Sequence, residues 1–276
     1  MVLLGYNSNG FVHHRLEEGL ELLAEAGCRA VALTPDVGHL DPREAGAAEV
    51  EAVGRRCAEL GLTVVLETGA RFLLDPRRKH RPNLLEVDAA AREPRLAFLE
   101  TMLDWCPLLG SRVLSFWSGV LPEGQDQAGA AAALQGALER LAPRAEAHGV
   151  HLALEPEPGH WIETVGDWRA FREARAPFLR LTLDTGHLVA NGEPPAHELL
   201  PGLGEDLVNL QLDDAPPGEH RHLPPGEGAV DWPALARALR AFPGLPACFE
   251  LSRDSHAFPE RLHRAVAFWR GLEGNR

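Results

Sequence analysis

A chain of 276 residues with a 45% hydrophobic fraction can build one large core, and the length suits an eight-fold barrel of roughly 250 residues. A formal net charge of −13 opposes non-specific binding to phosphate backbones, so no nucleic-acid partner is expected. No apolar run reaches the ~18 residues of a membrane span, and Met1–Tyr6 lacks the basic flank and long apolar stretch of a signal peptide. A cytoplasmic protein with no membrane partner is the expectation.

Val2 to Tyr6 reads as a first strand and residues 15–26 as a helix stopped by Gly27. Ala30 to Thr34 is a second strand broken by Pro35, 43–60 a helix ending at Gly61, and Leu62 to Leu66 a third strand ending at Glu67. Residues 68–92 carry no clear period and contain Pro76 and Pro82. So long a stretch in a compact chain is a functional lid or a disordered segment. Its Arg77-Arg78-Lys79-His80-Arg81 cluster reads either as a solvated basic loop or as a cationic lid, with Lys79 then reaching a substrate.

The spacing then predicts a helix over 93–109, a strand from Arg112 to Trp117, a helix over 126–148 and a fifth strand ending at Glu155. A helix over 165–176 leads to a sixth strand ending at Asp184. An irregular stretch with Pro194, Pro195 and Pro201 precedes strand seven, and a long loop over 213–230 follows it. A helix over 232–242, a strand ending at Glu250 and a helix over 257–271 complete the chain. Eight strands alternating with helices demand a parallel sheet. With no linker or composition shift, the expected fold is a single-domain α/β (β/α)8 TIM barrel over residues 1–276. A Rossmann sheet fits poorly, because Gly5-Tyr6-Asn7-Ser8-Asn9-Gly10 is not G-x-G-x-x-G. Cys28, Cys57, Cys106 and Cys248 are isolated and read as small buried hydrophobes in a reducing compartment.

One pattern recurs. Leu152-Ala153-Leu154 runs into Glu155 and is stopped by Pro156; Leu181-Thr182-Leu183 runs into Asp184; Asn209-Leu210 runs into Gln211; Ala247-Cys248-Phe249 runs into Glu250. The spacing is roughly one strand-plus-helix unit of 30 residues. In such barrels the C-terminal strand ends form the active site. An oxygen-only set of this kind suits one divalent ion such as Mg²⁺ or Mn²⁺, and less clearly Co²⁺ or Zn²⁺. Without an ion, crowded carboxylates repel and at least one protonates. Among aromatics near strand ends, Tyr6, Phe11, Trp117 and Trp161 read as a sugar-facing wall or as rim packing. Trp232, Phe242, Phe268 and Trp269 read as outer-shell core.

Leu-Glu-Pro at 154–156, Leu-Asp-Thr-Gly-His at 183–187, Phe-Glu-Leu at 249–251 and the loop Pro224-Pro225-Gly226-Glu227-Gly228 with Asp231 resemble the xylose-isomerase-like TIM barrels of the sugar phosphate isomerase/epimerase superfamily. The resemblance covers essentially the whole chain. It implies metal ligands at Glu155, Asp184, Gln211 and Glu250, with Glu155 and Glu250 also the acid/base pair. Many relatives carry His-x-His in strand seven, where this chain has Asn209-Leu210-Gln211. The implied reaction is proton transfer beside a carbonyl through a metal-stabilised enediolate, in isomerisation or epimerisation of a sugar, sugar phosphate or small hydroxy-ketone. His187, His222, Trp117, Glu67 and Lys79 are the expected substrate contacts, and a homodimer is the usual prior for such a protein.

Three alternatives stay open. An inosose-dehydratase-like reaction on the same metal needs an acid over the leaving hydroxyl, which His187, His222 or Lys79 could supply. A non-catalytic binding barrel would use the same carboxylates without turnover. An endonuclease IV-like nuclease would use His220 and His222 for a further zinc, but Thr34, Glu67 and Trp117 stand near places where that branch needs early histidines, and the net charge opposes it.

Overall fold

In the computed structural model, residues 1–274 are described. Eight strands form a closed barrel in chain order: β1 Leu3–Asn7, β2 Ala30–Leu33, β3 Thr63–Glu67, β4 Val113–Phe116, β5 His151–Leu154, β6 Arg180–Asp184, β7 Leu207–Leu212 and β8 Pro246–Phe249. All neighbouring pairs are parallel, and β8 closes onto β1 with Phe249 opposite Tyr6. The principal outer helices are α1 Leu16–Ala26, α2 Ala47–Glu59, α3 Ala89–Leu109, α4 Gln127–His148 and α5 Val165–Arg175. They are followed by the short α6 Thr185–Asn191 and α7 Ala196–Leu199, then α8 Trp232–Ala238 and α9 Phe258–Gly274.

The layering follows from the sequence. Strand residues Leu66, Leu114, Phe116, Leu152 and Leu154 join Leu99, Met102 and Leu103 of α3 and Leu134, Leu138 and Leu141 of α4 in one buried cluster. Each such side chain contributes about 1.5–3 kcal/mol by burial. Gly110 (φ 68°) and Gly149 (φ 64°) end α3 and α4 in the left-handed conformation, which glycine adopts without a Cβ clash.

Side chains two apart on a strand share a face. Thr182 and Asp184, Asn209 and Gln211, and Cys248 and Glu250 are such pairs. The inner wall becomes polar toward the C-terminal mouth: the Ser115 and Thr182 hydroxyls lie 2.8 Å apart, and Asn209 Nδ2 donates to Glu67 Oε1 at 2.9 Å. At the other end the inner positions stay apolar, with Val65, Val113 and Ala153 in one small cluster and Ala30, Ala32 and Cys248 in another.

Three local expectations shift. α3 begins at Ala89, ahead of the predicted 93, because Asp88 accepts the Ala90 N–H at 2.9 Å and starts the helix before Pro94. α2 starts at Ala47, after Gly46. The stretch after Asp184 is helical, because the Asp184 carboxylate caps it. Tyr6 and Phe11 are fully buried beside Phe258 and belong to the core. Trp161 packs edge-on against Phe171. The four cysteines are buried with free thiols.

Candidate metal centre and cavity

Each of the acid-ended strands delivers its side chain to one place. Glu155, Asp184 and Glu250 each present an oxygen, and these three oxygens lie within 4.8 Å of one another. Glu155 follows β5 directly and is locked to β4 by its N–H donating to Phe116 O at 2.8 Å. Glu250 is tied to β7 through its N–H and Leu212 O at 3.1 Å, and its Oε1 accepts from Asn9 Nδ2 at 2.8 Å. Asp184 ends β6; its Oδ1 accepts the His187 N–H at 2.8 Å while its buried Oδ2 has no hydrogen-bond partner.

Gln211 of β7 stands opposite Asp184 of β6 in the sheet register. Its amide nitrogen donates to Glu67 Oε1 at 2.8 Å, which fixes the amide orientation and leaves a buried Oε1 without a partner. Glu67 is thus bonded on one oxygen by two amides, those of Asn209 and Gln211.

The electrostatics ask for a cation. Burial, then the neighbouring Glu67 and Glu250 carboxylates, push Glu155 well above the usual carboxylate range. Burial, then Asp213, does the same to Asp184. Burial and Glu250 raise Glu67 to about 8, and burial and Glu250 raise Glu157 to about 7. Carboxylates this crowded hold protons unless a positive charge sits among them. With two buried acceptor oxygens lacking donors, the set fits a divalent cation held by Glu155, Asp184, Gln211 and Glu250.

A second layer of histidines stands beside the acids. The buried His187 points Nδ1 at Pro156 O, 3.1 Å away, and lies 3.7 Å from Glu155 Oε1; its Nε2 has no hydrogen-bond partner. Burial, then His222, hold its pKa well below normal. His222 Nδ1 meets Asp213 Oδ2 at 2.6 Å. Burial opposes charge on His222, but the Asp213 carboxylate outweighs it and lifts the pKa well above the usual value. His220 lies 3.7 Å from Glu157 and is lowered to about 4 by burial and His222. One nitrogen each of His187, His220 and His222 also lies within 4.8 Å of the others.

Above the acids opens a cavity of about 310 Å³. Glu67, Lys79, Trp117, Glu155, His222 and Glu250 all line it. Asp184, Gln211 and His187 are not part of that lining. The 68–88 segment folds over one side. His80 adopts φ 62° and stacks on Trp117 with ring centroids 5.2 Å apart. The fully buried Arg95 of α3 also packs over Trp117, its guanidinium 4.2 Å from the ring centroid. His13 and His14 contact Ser255 and Phe258, away from the cavity.

Sequence reasoning passed over several of these groups. Glu157 reads as a loop residue between two prolines, yet it lines the cavity. Asn9 is the side chain that holds Glu250, and only the polar loop after strand one hinted at it. Asp213, the anchor of His222, was indistinguishable by sequence from Asp214.

A profile described as xylose isomerase-like TIM barrel matches residues 20–272. No curated protein sequence matches the chain. Among solved structures, D-psicose 3-epimerase from Clostridium cellulolyticum H10 superposes with a TM-score of 0.74 at 16% identity, covering 98% of each chain. A 3-keto-D-glucoside 4-epimerase from E. coli gives 0.75 at 17% identity, covering 98% of this chain and 100% of that one. The IOLI protein with a bound zinc atom gives 0.74 at 19% identity, covering 98% and 96%.

Proposed function

Because the chain belongs to the xylose isomerase-like TIM barrel family, we propose that it is a divalent-metal-dependent isomerase or epimerase of a sugar, sugar phosphate or small hydroxy-ketone, working in the cytoplasm. The observation that carries this reading is the meeting of the Glu155, Asp184 and Glu250 oxygens within 4.8 Å, beside the unpartnered Asp184 Oδ2 and Gln211 Oε1. The sugar epimerases among the similar structures support the same class.

Glu155, Asp184, Gln211 and Glu250 would hold the cation. When bound, it supplies Lewis-acid polarisation of a substrate carbonyl and its neighbouring hydroxyl. Glu155 and Glu250 come from β5 and β8, on different sides of the barrel mouth. A carbon-bound proton taken by one carboxylate can therefore be returned by the other to the opposite face, or by the same one to the adjacent carbon. Asn9 holds Glu250 in place. His222, which lines the cavity with His187 packed against it, would orient substrate hydroxyls, and Trp117 would give the sugar an apolar wall. Metal content by plasma mass spectrometry, combined with deuterium uptake at carbon from D₂O across ketose and aldose pools, tests the reading. No divalent ion bound in any form would sink it.

One observation favours a second chemistry on the same site. Asp213 Oδ2, 2.6 Å from His222 Nδ1, raises the His222 pKa against the effect of burial at the cavity wall, which favours the proton that an elimination of water would ask of a general acid. A polyol-ketone substrate would then lose water, and mass loss of the product separates this from isomerisation.

A further inference from the structure

We propose that the substrate carries an anionic group, held at the cavity rim by Lys79 and Arg253. This rests on the isomerase or epimerase reading and narrows its substrate class.

Both cations are exposed and line the same cavity as Glu155 and Glu250. In a chain of net charge −13, carboxylates for pairing are abundant. The nearby acids are instead taken by other cations. Asp75 pairs with Arg78 at 2.7 Å and Glu86 with Arg81 at 2.8 Å, on either side of Lys79. Asp254, next to Arg253, pairs with Arg261 at 2.7 Å. Among the described residues, Lys79 and Arg253 have no carboxylate within ion-pair distance. The local pairing thus leaves free the two cations that face the cavity.

A neutral sugar needs no such pair, since its hydroxyls are served by carboxylates, amides and histidines already in the cavity. An anionic substrate does need it. Such a molecule approaches a wall holding Glu67, Glu155, Glu157 and Glu250, and the repulsion must be offset at its other end. Arg71 adds a third positive charge to the lining, loosely held by Asn9 O at 3.3 Å and Asp36 at 3.9 Å. His80 contributes ring nitrogens with no partner at all. The arrangement is bipolar, acid at the metal end and cation at the rim. It fits a ligand whose carbonyl and hydroxyls lie over the carboxylates while a phosphate or carboxylate reaches Lys79 and Arg253.

Calorimetric titration of wild type and the K79A/R253A double variant with inorganic phosphate and with acetate tests this. Wild type should bind at least one anion, and the double variant should bind it about ten- to a hundred-fold more weakly, as expected for lost charge-assisted hydrogen bonds. Phosphate alone binding assigns a phosphorylated substrate; acetate binding as well assigns a carboxylate. No binding of either anion, or equal binding to both proteins, overturns the rim site. Glu155→Gln is included to keep the two readings apart. If phosphate binds wild type and Glu155→Gln alike while no anionic or neutral ketose takes up deuterium, the rim stands and the reaction falls. If neutral ketoses exchange and no anion binds, the reaction stands and the rim falls.

Discussion

Asp184 Oδ1 accepts the backbone N–H of His187 at 2.8 Å, so one carboxylate oxygen starts a helix while the other is left without a partner at the candidate metal centre. The two oxygens can be separated by mutation. In Asp184→Asn the amide oxygen can still cap α6, but the freed position becomes an NH₂ donor. Thermal stability should change by less than about 1 kcal/mol, the usual size of a lost cap. Divalent-metal affinity should fall on the order of a hundred-fold or more, beyond the 10–100-fold typical of losing a mere supporting contact. Metal titration alongside thermal melts checks both. Unchanged affinity would remove Asp184 from the ligand set.

Glu155→Gln and Glu250→Gln should each cut deuterium exchange into substrate by roughly 10²–10⁴, the range for a positioned acid or base. Glu155→Gln carries a second expectation. In chelator at pH 8, it should melt higher than metal-free wild type, because an amide does not have to be held against the neighbouring Glu67 and Glu250. A lower melting temperature there would mean that the carboxylates are not in repulsive contact.

The pH dependence of the metal-free protein has a definite sign. Glu67 and Glu157 are raised to about 8 and about 7 from an ordinary value of 4.5, so the folded state binds these protons more tightly than the unfolded chain. Their contribution is fully present below about pH 4.5 and is lost as pH rises through 7 and 8. His80 and His160 are both lowered to about 3 by burial, followed by the Lys79 charge for His80 and by competition with His80 for a proton in the case of His160. Their contribution is present above pH 6.5 and is lost as pH falls below it. Melting temperature in chelator should therefore be highest between about pH 4.5 and 6.5, where the two pairs balance, fall from there to about pH 8 and then level off. Saturating Mn²⁺ should abolish the alkaline decline. The same slope with and without metal would refute the charge model of the site.

Gly186 sits in the Thr-Gly-His sequence against Asp213, where an added Cβ would come within 2.5 Å of Asp213 Oδ2. Gly186→Ala should push Asp213 away from His222 and lower the His222 pKa, read by the imidazole proton shifts in an NMR titration. The cost in stability should be about 1–3 kcal/mol, as for overpacking. An unmoved His222 titration would show that Asp213 does not set it.

Asp214 binds its loop together with four acceptor bonds: Ala215 N–H and Val230 N–H to Oδ1, Gly226 N–H and Trp232 Nε1–H to Oδ2. Asp214→Ala leaves those donors unsatisfied and should cost about 3–5 kcal/mol. Limited proteolysis should then cut first within 213–230. Cleavage elsewhere first would mean the loop is held by other contacts.

The barrel was legible because eight apolar runs alternate with glycine-stopped helices, and parallel closure is what that pattern allows. The strand-end acids were legible for the same reason: a proline or a polar residue stops each run at a fixed point. Partnerships across the barrel were not. Nothing local tells that Asn9 reaches Glu250, since these residues are neighbours only once β8 pairs with β1. Nor does the sequence tell which of Asp213 and Asp214 anchors His222, because adjacent strand-end residues point oppositely and the strand's last residue decides the phase. The Lys79 cluster could be read only as basic; the ion pairs that remove Arg78 and Arg81 from consideration depend on the folded loop.

The carboxylates that meet at the mouth are carried by segments that leave the ribosome at very different times. Glu67 and Glu155 emerge early, Asp184 later, and Glu250 only with β8, the strand that also closes the seam against β1. A nascent chain lacking its last strand has an open sheet edge and an incomplete ligand set. A cation held by these residues would thus be gripped fully only once β8 is in place. Its binding free energy would then act on the closed barrel alone, drawing that state out of the partly built ones.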